Sequence, residues 1–480
     1  MARCSSWWTA RARRPSGTRT DVLLELVYAL FLLWMVARLL RRPGAGEADY
    51  LVAGRRLTLP GFVASLVTTW YGGILGVGEY GWSYGISSWF VFGFPYYLYA
   101  VVFALVLARR ARRAEVLSPC DVLERAWGRP AALIGAAVLF AMTAPAAYVL
   151  MLGVMVELAT GWPLWVGVIL GTALSVGYVF RGGLRAIVAT DQVQFVLMFL
   201  AFVILVPACV ARFGGADWLV ANLPDTHLDA DGGLGWQAVA VWYAIAAATL
   251  TEPAFYQRCY AARDERTARR GILVAIGFWI VFDALTTTAG LYARAVVPDL
   301  AEPVAAFPAL AGEVLPGFWL GLFTVGLLAT IMSTIDSYSF LAAVTLGRDL
   351  WRRRMRPAGT LLGEEDVANL RPVRWALLLT AALAIVLALW SRSVVELWKV
   401  LGSLGTPVLL LPLLLAHLGR RADRPAGRRQ VAIGMVAAGL VSGVWLVLGR
   451  GQAFLGVEAI FPGLLVSATW ILPLVARRRR

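Results

Sequence analysis

Apolar runs of about 20 residues, the length a helix needs to cross a hydrocarbon layer roughly 30 Å thick at 1.5 Å per residue, recur from residue 22 to the end of this 480-residue chain. They fall at 22-40, 60-84, 86-108, 131-158, 163-180, 188-212, 236-257, 271-295, 316-347, 372-390, 394-418, 429-449 and 456-476. With 60% hydrophobic and only 15% charged residues, no soluble core of this size would hide that surface, so lipid must be its solvent. The expected fold class is an all-α integral membrane protein with about 13 transmembrane helices. The longest polar interruptions, 109-130, 213-235 and 348-371, are too short for a catalytic domain.

A net charge of +15 would suggest a nucleic-acid partner in a soluble protein, but here the arginines sit in short loops and report topology instead. Connections at Arg109 to Arg113, Arg181 to Arg185, Arg258 to Arg270, Arg348 to Arg356 and Arg420 to Arg429 fall on one side when the runs are threaded in order. That side is expected to be cytoplasmic. The opposite loops carry Asp217, Asp225, Asp229, Asp231, Asp299, Glu302 and Glu313. This places the N-terminus outside and the C-terminus in the cytoplasm of a multi-pass inner (plasma) membrane protein, although the arginines before residue 20 oppose it. The run at 22-40 is read as a retained first span, because it lacks a small-residue cleavage site and Arg38, Arg41 and Arg42 follow it.

The four cysteines lack paired spacing and the two histidines stand apart, which argues against a zinc site or a disulfide framework. No serine-histidine or His-Cys arrangement suggests catalysis, so neither an enzyme nor an organic cofactor is expected. The partner expected from these features is the bilayer, with no nucleic acid and no obligate protein partner.

Two spans carry the chemistry. In PGFVASLVTTWYGGILGVGEYGWSYG, Gly72, Gly73, Gly76, Gly78 and Gly81 weaken a helix that must cross lipid. Either the helix is interrupted, freeing backbone for ions and substrate, or the glycines serve close helix packing. The formal GxGxxG match at 76-81 is rejected, because no strand precedes it and it lies inside an apolar span. In ATIMSTIDSYSFLAA, Ser333, Asp336 and Ser337 share a helical face, with Thr334 one residue round. Such oxygens suit a hard cation, or else bond back to their own helix and glue it to neighbours. Asp191 is expensive within a span and calls for an ion or polar partner, with an N-terminal cap or a contact to Arg185 as the alternative. Asp283 reads as a structural hydrogen-bond acceptor, and Glu79, beside the suspected break, as a contact for a cationic or hydroxylated substrate.

The stretches YVFRGGLRAIVATDQVQ at 178-194, FYQRCYAARDERTARRG at 255-271 and MSTIDSYSFLAAVTLGRDL at 332-350 together resemble the solute:sodium symporter family. That resemblance implies a leucine-transporter-like fold with a 5+5 inverted repeat, in which spans two and seven are discontinuous. It divides the chain into an N-terminal segment with the first helix (1-59), a transporter core (60-418, repeats about 60-212 and 236-418) and two C-terminal helices with a basic tail (419-480). It further implies a principal sodium site from Ser333 and Thr334 with carbonyls of Leu66, Thr69 and Thr330. A possible second sodium would be held by Asp191, Ser333, Asp336 and Ser337, and a solute pocket lined by Trp70, Tyr71, Gly72, Glu79, Trp242 and Tyr243. Residues that contact hexose in sugar carriers find no counterparts, and Thr68 stands where proline carriers place an acid.

The implied function is secondary active transport: sodium-coupled symport of a small organic solute into the cell by alternating access, with sodium the only metal. A proton-coupled symporter of the same fold, or a transporter-like sensor or channel, are the alternatives.

Overall fold

The computed structural model describes residues 47-357, 362, 370-390, 394-422, 424-451 and 453-476. The first apolar run at 22-40, the arginines around it and the terminal Arg477 to Arg480 lie outside the described residues. Among those described the chain is helical, with isolated bridges and no strand.

The helices that position the site are α1 (Leu59–Trp70), α2 (Ile74–Tyr84), α3 (Trp89–Arg113), α4 (Pro119–Trp127), α5 (Arg129–Thr160) and α6 (Leu164–Phe213). They continue as α7 (Trp236–Ile245), α8 (Pro253–Ala261), α9 (Glu265–Val296), α10 (Gly317–Met355), α11 (Arg371–Trp390), α12 (Val394–His417), α13 (Pro425–Leu448) and α14 (Ile460–Ala476). Nine helices among the described residues are long and apolar enough to cross a membrane, and the bent α1–α2 pair makes a tenth. A count of 13 spans does not follow directly from this. The runs at 163-180 and 188-212 are one 50-residue helix, α6, and α14 is a shorter apolar helix of 17 residues. At 1.5 Å per residue α6 would extend about 75 Å if straight, far beyond a bilayer core. It is broken at Gly183 (φ 55°, ψ −148°), where any Cβ would collide with Tyr50.

Two further breaks lie near the middle of the molecule. α1 stops at Trp70, and after Tyr71, Gly72 and Gly73 the chain resumes as α2 at 56° to it. Glycine is the cheapest place to abandon helical hydrogen bonding. The second break follows from Pro253, whose ring drives the preceding residue out of the helical region. Glu252 is extended (φ −63°, ψ 113°), Ala246–Thr251 tighten into a 3-10 turn, and α8 starts with Pro253 at its first position. Two helical stretches are thus interrupted, 59-84 and 236-261.

α10 runs through the centre. Buried residues make up 72% of its most apolar window, against 33% for α6 and 39% for α13, so α10 faces protein where the others face lipid. It packs chiefly on α6, and also on α1, α5 and α11.

The basic connections gather at one end. Arg113 pairs with Glu265 at 2.7 Å, Arg112 donates to the Ala262 carbonyl, Arg129 donates to the Arg356 carbonyl, and the Ala422 amide reaches the Ala126 carbonyl. The acidic loops meet at the other end, where His227 bonds the Trp82 carbonyl, Trp82 that of Val297, and Tyr292 that of Gly214. Arg258 is a correction to the loop reading: it is fully buried on α8, within the helical core.

Candidate functional site

α10 presents its hydroxyls to two neighbours. Ser333 donates to Asp191 Oδ1 on α6 (2.7 Å), Thr334 donates to the Thr69 carbonyl in the last turn of α1 (2.9 Å), and Ser337 meets the Thr69 hydroxyl (2.9 Å). Carbonyls of a last helical turn lack the usual downstream amide partners, so Thr69 at this break is open to an outside donor or cation. Gly72 is what lets α10 come so close: a methyl group at that position would overlap the Thr334 side chain. Thr330 behaves differently, as its hydroxyl bonds back to the Gly326 carbonyl of its own helix (2.7 Å). Leu66 is buried within α1, one turn before the break.

Asp191 has the polar partners that its burial demands, although Arg185 is not among them. Arg185 pairs with Asp49 at 3.0 Å. Asp191 instead accepts from Ser65 (2.5 Å) and Ser333, with the Arg258 guanidinium at 3.9 Å, both charged side chains being 0% exposed. Arg258 Nη2 donates to Ser337 (2.6 Å), Thr69 (2.9 Å) and Ser65 (3.0 Å), and Nη1 to Gln257 (2.9 Å). Asp336 points elsewhere, its two oxygens accepting from Ser175 and Tyr178. The four residues grouped as a second ion site are therefore not brought to one point. Asp191 and Ser333 meet, Ser337 is held by a guanidinium, and Asp336 faces α6 higher up the helix.

Beside this network lies a cavity of about 190 Å³ bounded by the two helix breaks. Trp70, Tyr71 and Trp242 line it, while Gly72, Glu79 and Tyr243 do not. Gly72 packs on Thr334, Glu79 is half-buried on α2, and the Tyr243 ring stands 6.5 Å from that of Phe94. The wall also includes Gly73, Val77, Tyr96, Tyr148, Glu252, Asp283 and Tyr338. Asp283 accepts from Tyr71 (2.9 Å) and Tyr97, so its reading as a hydrogen-bond acceptor and a place on the cavity wall coincide.

Sequence reasoning missed Ser65, Arg258 and Glu252. Ser65 and Arg258 each carry a weak signal, one being a turn before Thr69 and the other within the 255-271 stretch. Glu252 had a usable one, since an acid directly before Pro253 is an N-cap at a helix restart, and its carboxylate does accept from the Ala254 amide (3.3 Å).

No group of three or more His, Cys, Asp and Glu among the described residues forms a metal-binding cluster. The oxygens at the break are hydroxyls, one carbonyl and one carboxylate, a donor set suited to a hard cation and not to a soft one.

Comparison with known proteins agrees with this architecture. The chain is 27% identical over 325 residues to the sodium/pantothenate symporter of Escherichia coli, 65% of this chain and 64% of that protein. It is 25% identical over 434 residues to the high-affinity choline transporter 1 of Caenorhabditis elegans, 82% of this chain and 71% of the relative. The chain thus spans slightly less than two thirds of the bacterial pantothenate symporter. Among solved structures, a Na+-coupled sialic acid symporter in a substrate-bound outward-open state superposes with a TM-score of 0.75 at 14% identity, covering 96% of this chain and 97% of the other. A nucleobase-cation-symport-1 family transporter gives 0.58 at 13% identity, with 91% and 95% covered. The sodium:solute symporter family model matches residues 50–425. That match takes in both interrupted helices, the α10 hydroxyls and the cavity between them, and the chain belongs to the sodium:solute symporter family.

Proposed function

We propose that this protein is a secondary active carrier that moves a small organic solute into the cell together with sodium. The observation that carries this reading is the convergence of Ser333, Thr334 and the Thr69 carbonyl at the end of α1, beside a cavity framed by both broken helices. A cation held there would draw the broken helix and α10 together, and only differential affinity between the two facing states is needed for coupling. Moving one charge through 100 mV supplies about 2.3 kcal/mol, a useful driving force before the sodium gradient itself is added.

One sodium is favoured over two. The Arg258 guanidinium already occupies the oxygens of Ser65, Thr69 and Ser337, and a cation would meet repulsion there. Asp191 and Ser333, with Leu66 and Thr330 lining the same approach, complete the single site in this reading. The relatives named above carry pantothenate and choline, and the solute here belongs to the same size class. The basic end is assigned to the cytoplasm. Two crossings by α6, one by α14 and the run at 22-40 would bring the spans to 13.

The test is uptake into proteoliposomes of labelled solutes under an inward sodium gradient, with a proton gradient alone as the control. Sodium-dependent accumulation is expected, with Ser333→Ala and Thr334→Ala raising the sodium concentration for half-maximal uptake at least tenfold. Uptake driven equally by protons, or variants indistinguishable from the parent, would remove the sodium assignment.

A further inference from the structure

The cavity beside the ion site has an electrostatic character that its sequence neighbours do not announce. Two carboxylates, Glu252 and Asp283, line it, and none of its described lining residues is Lys, Arg or His. Neither acid lies within ion-pair distance of a described residue; Arg258, whose nearest carboxylate is Asp191 at 3.9 Å, acts on Glu252 only from further away and does not line the cavity. The partners of both acids are neutral. Glu252 accepts from the Tyr338 hydroxyl (3.0 Å) and an amide, Asp283 from Tyr71 and Tyr97. A buried carboxylate without a counter-charge is costly, and a cation arriving with the solute would lower that cost.

The rest of the wall fits the same guest. Trp70, Tyr96, Tyr148, Trp242 and Tyr338 present aromatic surface to the cavity. Trp70 and Tyr96 lie edge to face with centroids 5.4 Å apart, as do Tyr148 and Tyr338 at 5.4 Å, so each ring is braced by a partner. Aromatic faces attract ammonium groups most strongly where water is excluded. A separate observation points to a bound molecule. Thr249, 2% exposed, lines the cavity, and its hydroxyl has no hydrogen-bond partner among the described residues. A buried hydroxyl left unpaired is costly, and a hydroxyl or carbonyl on the guest would recover that cost.

We infer that the cavity selects a small organic cation, an ammonium group held between Glu252, Asp283 and the aromatic flanks with a polar end reaching Thr249. This rests on the carrier reading above, and names its substrate class. A solute whose only charge is a carboxylate would meet two acidic side chains and no lining cation.

Calorimetric binding to the purified full-length protein tests the class without requiring transport. The probes are choline, ethanolamine, pantothenate and 3,3-dimethyl-1-butanol, the uncharged isostere of choline. Choline or ethanolamine is expected to bind at least tenfold more tightly than the isostere and pantothenate, with Glu252→Gln and Asp283→Asn each weakening it tenfold or more. Both variants keep a side-chain oxygen for the existing donors, and unchanged thermal unfolding and unchanged sodium binding would show that the fold persists. Equal binding of choline and its isostere, preferential binding of pantothenate, no binding of either cation, or indifference to both substitutions would overturn the inference. In the proteoliposome assay, sodium-driven uptake of pantothenate with none of the cations would overturn the class alone. Sodium-independent uptake of the cations would overturn the coupling while keeping the class.

Discussion

Asp191 and Arg258 form a buried charge pair beside the proposed ion site. Both are fully buried, and each is the other's nearest opposite charge at 3.9 Å. Removing one partner of a buried pair leaves the other uncompensated, at a cost of about 3-5 kcal/mol. Asp191→Asn is therefore expected to lower the thermal unfolding temperature markedly in detergent, and Asp191→Asn with Arg258→Met to recover part of the loss. An additive double variant would show that the pair is not coupled. At this scale the sequence was informative where spacing carried the message. The i, i+3, i+4 pattern of Ser333, Asp336 and Ser337 put oxygens on one face, and all three do face α1 or α6. It was silent on direction: Asp336 turns to Ser175 and Tyr178, and Arg258, five residues before the loop arginines, looked like one of them.

Among the elements, the breaks matter more than the helices they interrupt. Gly72 brings α10 against the end of α1, and a methyl there would overlap Thr334. Gly72→Ala is expected to destabilise by about 1-3 kcal/mol through overpacking, and to weaken sodium dependence by parting Thr334 from the Thr69 carbonyl. Gly177→Ala is the matched control, since nothing lies within 4 Å of a Cβ at that exposed helical position; its stability and sodium dependence should match the parent or slightly exceed it. If both alanine variants behaved alike in sodium titrations, close approach at Gly72 would have no part in ion binding. The glycine cluster marked the first break as one of two readings, because it acts on the backbone locally; the second was expected only from the family resemblance, and Pro253 accounts for it. The 50-residue α6 was read as two runs, since hydropathy dips near Arg181 to Arg185 while the helix itself continues around one kink.

The whole molecule is locked at its basic end by a buried ion cluster. Arg348 and Arg353, near the end of α10, meet Asp121 on the short helix α4 at 3.0 and 2.7 Å, and Arg353 also pairs with Asp349 (3.1 Å) and Glu124. Burial raises the Asp121 carboxyl, but the two guanidinium groups outweigh it and hold it at about 2, below the ordinary 3.8. A carboxyl depressed in the folded state adds stability above its unfolded value and loses it as pH falls through the folded one. Unfolding temperature is thus expected to drop between about pH 4 and pH 2, and Asp121→Asn to flatten that slope while lowering stability at neutral pH. A slope unchanged in the variant would place the acid sensitivity elsewhere. What the sequence by itself determined is what local chemistry enforces: helices in lipid, because unpaired backbone is prohibitive there, arginines collected at one end, hydroxyls on one face of α10, and a weak point at the glycine cluster of α1 and α2. Only the tertiary structure decided which buried charges meet, that Glu252 and Asp283 share a cavity, and that Arg258 stands among the oxygens of Ser65, Thr69 and Ser337. Those outcomes depend on helices distant in sequence arriving side by side, which no local pattern records.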